Sequence, residues 1–297
     1  MADISIVTAF YDIGRAEWGP HNGHPAYLQR TTDTYIERFS HLTRLANDIT
    51  VFTSEKLVER IRAACDKQSK VTIVAFDAMR HFSGTRAVIR NIQQSPGYRA
   101  RIHPKQIRNP EYWSPDYVLI TNLKAYFVNK AIEMGKVIND CVAWIDFGYC
   151  RSVEKIPPSR TWTYGFAPDK IHLFAYKEYD NVPIEKIVAT NDVYVSGCKA
   201  VASKKLWPRM ASLMEMSFKA LMQKQLVDDD QVLWLYSFLL QPGVFALHRI
   251  PDHQLGHDPF VLFNGFNDSC GAAGAPQKGT SSSLASAKAS LASFEPP

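Results

Sequence analysis

The residue type and setting that point most directly to chemistry belong to Asp146. It ends Cys141-Val142-Ala143-Trp144-Ile145, the strongest buried-strand candidate in the chain, and is followed by Phe147-Gly148-Tyr149. An aspartate delivered by a buried strand into a glycine-containing turn can hold a hard divalent cation against phosphate oxygens. It can equally cap the next turn, and one acid at a strand end leaves both roles open. A second polar segment, Thr8 to Arg15, follows the first strand candidate. Arg15, Lys124 and Arg151 are the basic residues placed to meet a diphosphate, and Asn122-Leu123-Lys124 stands close in sequence to the Asp146 strand. The triple acid Asp228-Asp229-Asp230 has an ordinary reading, since acids at a helix N-terminus favour the helix dipole. If that helix points into a cleft, one of them can serve as a base.

Those residues need elements to carry them. Ile4 to Phe10 is β-rich and reads as a first buried strand. A turn-rich loop over Asp12 to Gly23 follows, then a helix from about Tyr27 to Leu45 with Tyr35, Phe39, Leu42 and Leu45 on one face. Ile49 to Thr53 is a second strand, Ser54 an N-cap for a helix to about Asp66, and Val71 to Phe76 a third strand. Strand alternating with helix predicts an α/β fold with a mostly parallel sheet, whose ligands bind beyond the carboxyl ends of the strands. Pro96, Pro104, Pro110 and Pro115 mark an irregular surface segment or lid over 95–116. Further on, Ile120, Leu123, Phe127, Ala131 and Met134 form a helical stripe, and Ile171 to Tyr176 reads as a strand. Ser203 to Lys224 and Asp228 to Leu240 read as helices, with methionines as core filler in the first, and Val244 to Leu247 as a last strand.

Composition narrows the function classes. The 297 residues are 46% hydrophobic and 21% charged, which excludes a disordered chain. The apolar runs are too short for a bilayer, which takes about 20 residues. Met1 to Phe10 lacks the basic start of a secretion signal, so a cytoplasmic location is expected. A formal charge of +5 is too mild for a nucleic-acid binder and suits an anionic ligand or an acidic membrane surface. Cysteines 65, 141, 150, 198 and 270 form no Cys-x-x-Cys pair; Cys65, Cys141 and Cys198 read as core residues. No glycine-rich dinucleotide fingerprint, P-loop, serine elbow or His-Glu-x-x-His is present. His248, His253 and His257 lie in a stretch read as a solvated loop. Residues 269–297, rich in Gly, Ala, Ser, Lys and Pro, read as a disordered tail or linker after a single domain over 1–268.

The run Ile6-Val7-Thr8-Ala9-Phe10-Tyr11-Asp12-Ile13-Gly14-Arg15-Ala16-Glu17-Trp18 closely resembles the opening of the bacterial HtrL/YibB family. Trp144-Ile145-Asp146-Phe147-Gly148-Tyr149 resembles its central motif, and Asn122-Leu123-Lys124 and Asp229-Asp230-Gln231 fit its layout. The resemblance covers roughly residues 4 to 265 and implies a GT-A-like glycosyltransferase acting in lipopolysaccharide or capsule synthesis. It further implies a nucleotide-binding half over 1–150 and an acceptor-binding half over 151–268. Donor contacts would come from Thr8, Ala9, Asp12, Arg15, Asn122, Lys124, Asp146 and Gly148, with Asp146 on Mn²⁺ or Mg²⁺, and the acceptor-side base would be Asp230 or Asp229. The implied partners are a nucleotide sugar (a UDP-sugar first) and a glycan or lipid-linked oligosaccharide, with docking at the inner face of the inner membrane and no nucleic acid. Gly148 stands where GT-A enzymes carry the second acid of Asp-x-Asp, which leaves Arg15 and Lys124 to neutralise the diphosphate. Two other classes remain alongside: a non-catalytic nucleotide-sugar or glycan binder, and a nucleotide-sugar hydrolase or phosphotransferase.

Overall fold

The computed structural model describes residues 2–250 together with Phe260 and Phe263, so the expected tail lies outside the described residues. The chain divides into two compact units, Met1–Gly265 and Phe266–Pro297, of which only the first falls among the described residues.

Strand β1 (Ala2–Phe10) is followed by α1 (Thr32–Leu42), β2 (Asp48–Thr53), α2 (Val58–Ala64) and β3 (Lys70–Ala75). The helix expected from Tyr27 begins five residues later, because Thr31 caps it: its side chain accepts from the Thr34 amide. Both β1 with β2 and β2 with β3 pair in parallel. The chain then leaves the sheet for α3 (Ala78–His81), α4 (Ser83–Gln94), α5 (Pro96–Arg101), α6 (Pro115–Asn122) and α7 (Lys124–Glu133). It returns as β4 (Cys141–Ile145), parallel to β1 on the side away from β2, with Ala143 opposite Ile6. Successive strands thus wind outward in opposite directions from β1 and β4, which opens a crevice at their carboxyl ends.

Next come β5 (Thr163–Tyr164), β6 (Ile171–Ala175), α8 (Ile184–Thr190), β7 (Val195–Ser203), α9 (Trp207–Gln223), α10 (Asp230–Leu240) and β8 (Phe245–Arg249). The sheet order is β3-β2-β1-β4-β7-β6-β8, with β5 antiparallel beside the start of β1. Strand β7 runs antiparallel to β4 and β6, so its first residues lie at the same edge as the end of β4, Lys199 opposite Ile145. The fold is mixed α/β with a mostly parallel sheet flanked by helices.

Alternation along the strands supplies two cores. Val142 and Trp144 pack with residues of α4 through α10, whereas Ala143 and Ile145 pack with Phe39 and Leu42 of α1 and Ile61 of α2. Met210 and Met214 are buried core filler, as expected.

Segment 95–116 is no lid. Tyr98, Ile102, Pro110, Glu111 and Tyr112 are buried; the Tyr98 hydroxyl donates to the Val227 carbonyl and that of Tyr112 to the Val188 carbonyl. Pro96, Pro110 and Pro115 start α5, a short 3-10 turn and α6, where no amide is needed, and through Tyr98 the segment braces the stretch before α10. Among the described residues, no helix is long and apolar enough to cross a membrane. His248 sits on β8, not in a loop: its Nε2 lies 2.8 Å from His172 Nδ1, and burial pushes His248 down to about 4, so the ring is neutral. His253 and His257 lie outside the described residues.

Candidate active site

A cleft of about 500 Å³ occupies the crevice beyond β1 and β4. Its floor is Ala9 to Asp12 from the end of β1, Asp146 to Gly148 from the end of β4, and Ser196 to Lys199 from the start of β7. Its walls come from Arg30 and α1, from Tyr117, Thr121 and Lys124 of α6 and α7, and from Asp229 and Asp230 at the start of α10.

Lys124 organises the acid side. Its Nζ lies 2.9 Å from Asp146 Oδ1, 2.9 Å from Asp230 Oδ2 and 2.7 Å from the Gly197 carbonyl oxygen. An ammonium has three protons, and all three are committed here. Burial works against the charge of Lys124, but Asp146 and Asp230 outweigh it and hold the ammonium protonated above the ordinary lysine range. Trp144 Nε1 donates to the same Asp146 oxygen at 2.8 Å. Gly197 is required by this packing, since a Cβ there would run into the Asp230 carboxylate and come within 3.0 Å of Gln231 Cγ.

Asp229 caps α10, its Oδ1 accepting from the Gln231 amide at 3.0 Å. Burial, with the Glu111 carboxylate adding to it, pushes Asp229 up to about 7. Glu111 is itself pushed up to about 7 by burial, and Asp228 well above the carboxylate range by burial and then by Asp229 and Glu111. Asp229 thus lines the cleft with two further buried carboxyls, Glu111 and Asp228, outside its lining. Burial also pushes Cys198 to about 11, so its sulfur is a neutral thiol; it lines the cleft and is not simple core filler.

The cleft also has basic lining. Arg15, Arg30, Arg38, Arg151 and Lys155 belong to it, Arg15 with Nη1 donating to the Tyr35 hydroxyl at 2.6 Å and Nη2 to the Leu28 carbonyl at 3.0 Å. The Arg15 guanidinium also lies 5.2 Å from the Trp18 ring centre. The Tyr35 ring packs over Gly148.

The sequence model described as "Bacterial protein of unknown function (HtrL_YibB)" matches residues 2–265. The chain belongs to the HtrL/YibB family. It is 38% identical over 250 residues to Protein HtrL of Escherichia coli (strain K12), covering 83% of this chain and 87% of that protein. Among solved structures, the apo form of mouse xyloside xylosyltransferase 1 is similar with a TM-score of 0.43 and 14% identity, over 88% of this chain and 92% of that one.

In this HtrL/YibB chain, Ala9, Asp12, Arg15, Lys124, Asp146, Gly148, Asp229 and Asp230 all line the one cleft. Thr8 and Asn122 do not. Thr8 is fully buried in β1, while Asn122 Nδ2 donates to the Asp228 carbonyl at 2.9 Å and so holds the acid segment from behind. Asp12 accepts from the Gly14 amide at 2.9 Å and from the Thr32 hydroxyl at 2.7 Å, which fixes the loop after β1. Asp146, the expected divalent-cation ligand, lines the cleft with its Oδ1 already engaged. Its Oδ1 is taken by Trp144 and Lys124, and an ammonium stands between Asp146 and Asp230 where a metal would bridge them. Among the described residues, no three His, Cys, Asp or Glu side chains converge on a metal position. Gly197, Lys199, Arg30, Arg38 and Glu111 were not singled out from the sequence. The first two stand on β7, which carries no clear alternating pattern, and the arginines look like any solvated helix face.

Proposed function

We propose that this chain is a glycosyltransferase that moves a sugar from a nucleotide-sugar donor, a UDP-sugar first among them, to a hydroxyl of a glycan acceptor. The acceptor class that fits is a lipid-linked oligosaccharide of bacterial surface polysaccharide, lipopolysaccharide or capsule, made at the cytoplasmic face of the inner membrane. The mild net charge of +5 is compatible with an acidic membrane face.

One observation carries the reading: a single cleft at the switch point of the sheet is lined both by arginines and by a carboxyl pair tied to Lys124. In the reaction, the bond from the anomeric carbon to the diphosphate oxygen breaks and its electron pair leaves with the diphosphate. The acceptor oxygen bonds to the anomeric carbon, and its proton passes to a carboxylate. Asp229 is the better base, because Asp230 is 2% exposed with Oδ2 held by Lys124, whereas Asp229 titrates near neutrality. Asp230 then positions Lys124, and Lys124 fixes Asp146 beside the donor. Stabilisation of the leaving charge falls to the basic side chains of the cleft. A Mn²⁺ or Mg²⁺ held at Asp146 would add to that stabilisation, and no step is routed through it.

The test is a thermal-shift series with UDP-, GDP-, CMP- and dTDP-sugars, each with and without Mn²⁺. A ligand at a hundredfold excess over its Kd adds about 2.7 kcal/mol of stability. The expected result is a rise in Tm with one nucleotide class, abolished in Asp146→Ala, followed by acceptor-dependent release of the nucleoside diphosphate. Acceptor-independent release of free sugar would make the chain a hydrolase. Binding with neither transfer nor hydrolysis would make it a binding module.

A further inference from the structure

The cleft contains more positive charge than the acid side consumes, and that surplus is localised. Lys124 has no proton left to offer, and Arg15 is anchored by Nη1 on Tyr35 and Nη2 on Leu28. Arg30, Arg38 and Arg151 differ: all three line the cleft, and none has a carboxylate within 4.0 Å or a side-chain hydrogen bond among the described residues. Elsewhere on the chain, Arg60, Arg62, Arg86 and Arg160 are each paired with an acid.

Arg30 and Arg151 both act on Arg38 across the cleft that all three line. Arg38 is held below the ordinary arginine range by burial and then by the charges of Arg30 and Arg151. They come from separate pieces of chain: Arg30 precedes α1, Arg38 lies on α1, and Arg151 follows the turn after β4. The Arg38 side chain lies against Gly148, its Cδ 3.8 Å from where a Cβ on that glycine would stand. That puts the cluster directly beside the turn that follows Asp146. Of the acids, only the Glu37 charge is felt at Arg38, more weakly than those of Arg30 and Arg151, and like charges gathered in a concave site are stabilised by an anion that bridges them. Guanidinium forks match phosphate oxygens in pairs.

We propose that Arg30, Arg38 and Arg151 together form the binding site for the diphosphate of the donor. The inference rests on the transferase reading for its choice of ligand and deepens it by naming the groups that meet the leaving charge. As the anomeric bond breaks, the departing oxygen gains negative charge next to three fixed cations. The cluster therefore acts on binding and on departure of the leaving group alike.

The experiment is titration calorimetry of the full chain with UDP, inorganic pyrophosphate and uridine, at low and high salt. Wild type is expected to bind UDP and pyrophosphate with an affinity that falls with salt. Arg38→Gln with Arg151→Ala should weaken both by about 10- to 100-fold, from the loss of charge-assisted hydrogen bonds, and leave uridine unchanged. Arg38 is half-buried, so Arg151→Ala alone, at an exposed position, is measured in parallel and should weaken the two phosphates and not uridine. UDP bound with wild-type affinity by both variants overturns the inference and leaves the transferase reading standing. Arginine-dependent binding of UDP and pyrophosphate without transfer of any sugar overturns that reading and supports the inference. Failure of wild type to bind either phosphate overturns both.

Discussion

Lys124, in the first turn of α7, and Asp230, in the first turn of α10, form an ion pair at 2.9 Å with side-chain exposures of only 6% and 3%. Two helices far apart in sequence are thereby joined at the cleft, with Asp146 of the central sheet on the same ammonium. Removing one partner of a buried pair leaves the other charge uncompensated and costs about 3–5 kcal/mol. Lys124→Met is expected to lose that much in denaturant unfolding and to lose activity. The deficit should shrink as pH falls from 7 towards 5, because burial pushes Asp230 up and the missing ammonium no longer opposes its protonation. A deficit that stays constant with pH would separate the loss from this carboxylate.

Asp229→Asn tests the base. Asparagine caps a helix about as well as aspartate, so stability at pH 7 should be retained. The kcat should fall about 10²- to 10⁴-fold, the usual worth of a general base. In wild type the base must be deprotonated, and Asp229 titrates near 7, so kcat/KM should fall as pH drops below that value. The variant should lose this acid limb. A variant that keeps the limb would assign it to another group.

The buried carboxyls also set the pH dependence of stability. Glu111 is pushed from 4.5 up to about 7 by burial. Between those values the folded chain holds a proton that the unfolded chain has released, so stability falls as pH rises through that window. Glu111→Gln can still accept from Asn191 Nδ2 and is uncharged throughout. Its Tm should decline less steeply than that of wild type from pH 5 to 8, since Asp228 and Asp229 keep their share of the slope, and should be higher than wild type at pH 8. Melting curves across that range decide it, and parallel profiles would sink the assignment.

The parts of this site that were legible in the sequence are those written in local pattern. The β1 and β4 strands, the turn at Gly148 and the acids that open α10 all follow from apolar runs and helix-end chemistry, and the structure puts them at one cleft. What pairing supplies was not legible. The position of β7 between β4 and β6 is decided by long-range register, and only that register brings Gly197 beneath Lys124 and Lys199 opposite Ile145. The Glu111 carboxyl looks like a surface acid in a proline-rich stretch, yet the burial of Tyr98 and Tyr112 around it makes it interior. Asn122 was expected to touch the donor, and its contact with the Asp228 carbonyl shows a supporting role that depends on the far side of the fold.

Gly148→Ala links the acid turn to the basic wall. A Cβ there would stand 2.7 Å from Tyr35 Cδ1 and 2.9 Å from Cε1, too close for any real side chain. The Tyr35 ring must move, and it cannot do so alone. Its hydroxyl accepts from Arg15 at 2.6 Å and its face packs 5.0 Å from Phe10, so Arg15 and the neighbouring Arg38 shift with it. Overpacking of this kind costs about 1–3 kcal/mol. The variant is expected to show that loss in urea unfolding together with weaker UDP binding by titration. Adding Tyr35→Ala to Gly148→Ala removes the clash and should recover most of the stability. It also strips Arg15 of its hydroxyl partner, so UDP affinity should stay low. Recovery of both together would mean that Tyr35 only fills space; recovery of neither would mean that the alanine acts through the turn itself.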